Sequence, residues 1–79
     1  MPRYFFDIRD DLGLILDEEG IEFSDRVLAE FEGYLSASDL ANAALFSGRR
    51  LAGDTVEITD ENGVILSEIK VEMPYRYLC

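Results

Sequence analysis

One stretch of helical periodicity, bracketed by a start signal and a stop signal, limits what these 79 residues can build. Ser24 is a favoured N-cap residue, and Asp25 suits the positive end of a helix dipole. Phe23 before the cap and Leu28 at the fourth helical position match a hydrophobic staple. Val27, Phe31, Leu35, Ala41 and Leu45 recur at the spacing of one helix face, the pattern of a side turned to a core. Gly48 is a C-terminal stop, with Arg49 and Arg50 just beyond it. The predicted helix covers 25–47, about 34 Å at 1.5 Å per residue. A six-residue strand reaches only about 20 Å. The helix must therefore bend, with Gly33 the expected place, or overhang its sheet; an overhang would be a dimerisation surface.

Strand signals lie on both sides of this helix. In 4–9, Tyr4, Phe6 and Ile8 share one face and Phe5, Asp7 and Arg9 the other. Asp10-Asp11-Leu12-Gly13 reads as a turn into a second strand over 14–16, and Asp17-Glu18-Glu19-Gly20 as an acidic loop. After the helix, 55–59 alternates, Asp60-Glu61-Asn62-Gly63 is a hairpin turn, and 64–71 is the fourth strand. A two- or four-residue loop puts Ile65, Ser67 and Ile69 on the face of Val56 and Ile58. A three-residue loop would bury Glu68 and Lys70 there, which is costly, so the even loop is expected.

The order strand, strand, helix, strand, strand predicts an α+β fold, a four-stranded, mostly antiparallel sheet with one long helix on one face. The order 2-1-3-4 makes every neighbouring pair antiparallel. Residues 1–72 are expected to form a single domain and 73–79 a short tail, where Pro74 limits further pairing. Four tyrosines and five phenylalanines among 48% hydrophobic residues supply enough material for a core.

Charge narrows the function classes. Seventeen acidic and seven basic residues give a net charge of −10, and Arg49-Arg50 is the one adjacent basic pair. That argues against direct nucleic-acid binding, which needs a basic footprint. The same charge supports an alternative reading as an acidic regulator or nucleic-acid mimic that occupies a basic protein surface. The start of the chain lacks a basic-then-apolar leader pattern, no apolar run approaches the ~18 residues that span a membrane, and the expected location is cytoplasmic.

Catalytic groups are scarce. The sequence has no His, and its single cysteine is Cys79, so neither an intrachain disulfide nor a Cys/His zinc site is expected. Nucleophilic catalysis needs a nucleophile, a base and an orienting group, and nothing here supplies them. Asp10, Asp11, Asp17, Glu18 and Glu19 read as a solvated acidic rim, with a weak Mg²⁺ or Ca²⁺ site the alternative. Asp60-Glu61-Asn62-Gly63 lacks the alternating acids and terminal Glu of a calcium loop and reads as a turn. No enzyme activity and no cofactor are expected.

The opening Met1-Pro2-Arg3-Tyr4-Phe5-Phe6, the Asp17-Glu18-Glu19-Gly20 loop, the helix end Ser47-Gly48 and the strand and turn from Val56 to Gly63 together resemble one family. It comprises short proteins common in rhizobia and related alphaproteobacteria, classed as a domain of unknown function. The resemblance extends to about Val71. Many relatives resemble Met-Pro-Arg-Tyr-Phe-Phe-His at the start, where this chain has Asp7. The resemblance implies a cytosolic bacterial protein and no activity.

Phe5 and Phe6 are adjacent and must point to opposite faces of their strand. Phe6 belongs under the helix, which leaves Phe5 on the open face with Leu14, Leu16, Val64 and Leu66 as the expected interaction surface. The resulting reading is a small non-enzymatic protein-interaction module. Its partner would be another protein or a second copy, a homodimer, docking through the open sheet face, an edge strand or the helix end.

Overall fold

A computed structural model describes residues 1–51 and 53–72. The tail 73–79, with Cys79, lies outside the described residues. The fold is α+β, an antiparallel sheet of five strands with one long helix. Strand β1 (Arg3–Asp10) turns through Asp10, whose carboxylate accepts from the N–H groups of Leu12 and Gly13, into β2 (Gly13–Ile15). A strand not expected from the sequence, β3 (Ile21–Glu22), follows the acidic loop. Helix α1 (Arg26–Ser47), β4 (Thr55–Thr59) and β5 (Ile65–Lys70) complete the chain.

The sheet order is β2-β1-β4-β5, every neighbour antiparallel, which is the expected order with β4 and β5 as the third and fourth expected strands. The edge of β1 away from β4 is paired twice, by β2 at Ile8–Asp10 and by β3 at Arg3 and Tyr4. Between those stretches a side chain takes the place of a strand. One oxygen of Asp17 accepts from the Phe6 N–H at 3.1 Å, and the other from the Glu19 and Gly20 N–H groups at 3.2 Å. Gly20 has φ +69 and lies under the side chains of Arg3 and Phe5, where a Cβ would stand 2.9 Å from each and from the Tyr4 carbonyl.

The hairpin β4–β5 aligns Ile58 with Ser67 and Val56 with Ile69, so those pairs share a face as expected. A bulge then shifts the register, and Thr59 pairs with Ile65. Ile65 therefore leaves the Ile58 face and is exposed, while Leu66 packs against the core. The turn rests on Asp60, whose carboxylate accepts from Asn62 and Val64 N–H groups at 2.8 and 3.0 Å.

The helix starts one residue later than its strongest sequence signal. Asp25, not Ser24, is the N-cap; it is extended (φ −153, ψ 169) and accepts from the Leu28 N–H. That offset removes the expected staple, and Phe23 packs instead edge-to-face on Phe6 and tilted on Tyr4, each at 6.3 Å between ring centroids. Gly48 ends the helix in the left-handed region at φ 73.

The helix face is the larger correction. Val27, Phe31 and Leu35 point outward, and the buried side is Ala29, Gly33, Ala37, Ala41 and Ala44. Of the expected core positions, Ala41 is buried and Leu45 half-buried. Small residues let the helix lie close on a sheet that presents Tyr4, Val56, Ile58 and Ile69. Gly33 serves this close approach: a Cβ on it would stand 2.7 Å from the Cδ1 atoms of Ile58 and Ile69.

Candidate functional site

The five apolar residues expected to form one surface do not come together. Phe5 and Leu16 line one open cleft with Asp7, Asp17, Thr59 and Asp60 on the face away from the helix. Leu14 is exposed on the short strand β2, opposite Arg9, and Val64 is exposed in the β4–β5 turn. Leu66 is on the helix side, because the bulge rotates it out of the alternation that placed it on the open face.

The open face is lined with charge. Asp7, Glu57 and Glu68 sit side by side across β1, β4 and β5. Asp7 accepts from the Asp17 N–H at 2.9 Å, and Arg9 donates its Nε–H to Glu57 at 2.7 Å. The Glu57 side chain is 6% exposed against 51% for Arg9, so the ion pair closes over a buried carboxylate. The hydrogen bond from Arg9 to Glu57, reinforced by the charge of Glu57, raises the guanidinium above its ordinary value.

Most of the acidic motifs found in the sequence do structural work. Asp10, Asp17, Asp25 and Asp60 accept from backbone N–H groups. Glu22, Glu30, Asp54 and Glu57 pair with Arg3, Arg26, Arg49 and Arg9. Among the described residues, no group of three or more His, Cys, Asp or Glu could hold a metal ion. Among them too, no helix is long and apolar enough to cross a membrane.

The feature that sequence reasoning missed is the outer side of the helix. Val27 (72% exposed), Leu28, Phe31 (62%), Tyr34 (64%) and Leu35 all face solvent. At 3.6 residues per turn they share an arc of about 120°. Ser38 and Asn42 continue the same arc, so it contains no charged residue. Glu32 and Asp39 lie along one margin. On the other, Glu30 accepts from the Ser67 hydroxyl at 2.5 Å and from Arg26 at 3.4 Å, while Arg26 also donates to the Leu66 carbonyl. The Ser67 hydroxyl, with help from Arg26, holds the Glu30 carboxyl below its ordinary value against a smaller opposing effect of burial.

The signal for this face was available. Ala29, Gly33, Ala37 and Ala41 recur every four residues as strictly as Val27, Phe31 and Leu35 do. The choice between the two stripes turns on volume, since bulky Tyr, Val and Ile side chains already fill the sheet side.

A family model for a domain of unknown function (DUF6894) matches residues 3–72, and the chain belongs to that family. Neither the curated proteins nor the solved structures include a match to it.

Proposed function

We propose that this DUF6894 chain is a non-enzymatic protein-interaction module whose docking face is the outer side of its helix. One observation carries the reading: the helix packs on its sheet through Ala and Gly and leaves Val27, Leu28, Phe31, Tyr34 and Leu35 in solvent. A helix stabilised by its own domain normally turns its large apolar residues inward. Presenting them outward forfeits apolar burial, at about 1.5–3 kcal/mol for each large side chain. A partner that covers the stripe recovers that free energy, and contiguous apolar patches of several hundred Å² mark interaction sites.

The alternative, an acidic regulator mimicking nucleic acid, draws on the charge of −10. It requires carboxylates free to face a basic partner. Turns and ion pairs already engage many of them, which favours the apolar docking face.

Photocrosslinking in cells separates the readings. A benzophenone amino acid replaces Phe31 in one variant and Glu61, in the β4–β5 turn, in another. Protein adducts formed from position 31 and absent from position 61 support the docking face. Adducts at neither position, or equally at both, rule it out.

A further inference from the structure

We infer that the occupant of this helix face is a second copy of the chain, docked as an antiparallel helix pair about a twofold axis that passes beside Phe31; the inference rests on the docking face proposed above. A twofold interface must be self-complementary, because each patch meets its own copy. For antiparallel helices a residue n positions before the axis comes level with the residue n positions after it in the second copy, so an apolar stripe spread evenly about the axis leaves no apolar residue opposite a charge. The exposed stripe is spread in this way. Val27 and Leu35 stand four residues on either side of Phe31, and Leu28 and Tyr34 three residues on either side. With Phe31 at the axis, Val27 comes level with the Leu35 of the second copy, Leu28 packs beside that Leu35 along one margin, Tyr34 packs beside the second copy's Val27 along the other, and the two Phe31 residues meet each other.

Charge confines a second copy to the same face. Two chains of net charge −10 repel one another, so they can join closely only where neither presents a carboxylate. The arc from Val27 through Asn42 is such a place. A basic protein partner would be drawn to the carboxylates instead. A lipid surface would favour Lys and Arg along the polar margins of the helix. The helix carries one basic residue, Arg26, which is engaged with Glu30, Ser67 and the Leu66 carbonyl.

The area is sufficient. With about 200 Å² for a fully exposed aromatic side chain and somewhat less for Leu and Val, the five side chains at their observed exposures present roughly 500 Å² per copy. Two copies would bury about 1,000 Å² before the flanking residues are counted, the lower bound for a specific interface. The resulting dimer is therefore one that dissociates on dilution. The same twofold brings both Glu32 side chains to one margin of the pair, so added salt tightens it.

Sedimentation equilibrium of the full chain tests this, with a Cys79→Ser background for the cysteine variants. A concentration-dependent monomer–dimer equilibrium is expected, shifted towards dimer by salt. Phe31→Glu, and independently Tyr34→Glu, should weaken association at least tenfold with an unchanged circular dichroism spectrum. The register is read by oxidation. Helices packed at the wide end of the usual 8–10 Å range bring the two Cα atoms at the axis to about 5 Å at a helix radius of 2.3 Å, within disulfide reach. Phe31→Cys should therefore crosslink to itself. Val27→Cys should not, because its two copies lie about 12 Å apart along the helices.

A chain that stays monomeric at millimolar concentration overturns the inference, as does a dimer untouched by both glutamate variants or one in which Val27→Cys crosslinks faster than Phe31→Cys. Monomer together with position-31 photoadducts to a different protein also overturns the second copy, and leaves the docking face standing. So does monomer that cosediments with phosphatidylcholine vesicles.

Discussion

The α-carbon of Gly33 faces the side chain of Ile58 so closely that a Cβ on the glycine would stand 2.7 Å from the isoleucine Cδ1 and 3.3 Å from its Cγ1. Ile58 is fully buried and has little room to yield. Gly33→Ala gains about 1 kcal/mol of helix propensity, whereas overpacking a filled core costs about 1–3 kcal/mol. The expected net effect is a destabilisation of about 1 kcal/mol, and Gly33→Leu should prevent folding. Trimming the opposing atoms in Ile58→Val together with Ile69→Val should reverse the sign of the Gly33→Ala effect. Urea titration of the four chains forms a double-mutant cycle. Strict additivity would mean that the close approach at Gly33 is not what sets the helix on the sheet.

Asp17 does the work of a strand segment, supplying acceptors to Phe6, Glu19 and Gly20. Asp17→Ala leaves the half-buried Phe6 N–H without its partner, and an unmade buried hydrogen bond costs about 1–3 kcal/mol. Asp17→Asn keeps one acceptor oxygen and should lose about half as much. Hydrogen exchange supplies the local readout: the Phe6 amide should exchange faster in Asp17→Ala, while Ile58 at the sheet centre follows global stability alone. An unchanged Phe6 rate would remove the strand-substitute role.

The sheet order and the helix C-terminus were legible in the sequence because each rests on a local rule. Gly48 accommodates the left-handed φ of 73, and antiparallel pairing of four strands around one crossing helix leaves few orders. What escaped were choices decided by packing. Ser24 and Asp25 are equally good caps, and the chain uses Asp25. Strand β3 has two residues and no alternation; it pairs because Asp17 and Gly20 fold the loop back onto β1. Alternation along β5 gave the right faces for Ser67 and Ile69 and failed at Ile65 and Leu66, where a bulge inserts one residue. The docking face was hidden for a related reason. Hydropathy ranks Phe31 above Ala37 for the core, but the gap between helix and sheet admits only the alanine.

Glu30 links stability to acid pH. Its carboxyl is held below its ordinary value of 4.5, first by the Ser67 hydroxyl and also by Arg26. A group with a depressed folded value contributes stability that is fully present above its unfolded value and is lost as pH falls through the folded one. The melting temperature should therefore fall below pH 4.5, and Glu30→Gln should make that decline shallower. Ser67→Ala, which removes the largest cause, should act in the same direction. The residue is solvent-accessible, so molar salt should shrink the difference between the chains. Parallel acid limbs in all three would show that Glu30 does not contribute.

Salt acts on this chain in two opposing ways, and range decides between them. The four ion pairs of the described residues, at 2.7 to 3.6 Å, stabilise the fold and are weakened by screening. Repulsion among the carboxylates, 17 against 7 basic residues and hence an excess of 10, opposes the compact state over longer distances. At 10 mM salt the Debye length is about 30 Å, close to the roughly 33 Å length of the 22-residue helix, so nearly every carboxylate acts on every other. At 0.15 M it is about 8 Å, which removes the long-range repulsion while the paired groups remain well inside it. Exposed pairs are worth only about 0–1 kcal/mol each, so the repulsion should dominate. The melting temperature should rise between these salt concentrations. The rise should persist in Phe31→Glu at low protein concentration, where self-association makes no contribution. A flat or falling curve in that variant would mean that the screening of the short-range ion pairs costs as much as the relief of repulsion gains, or more.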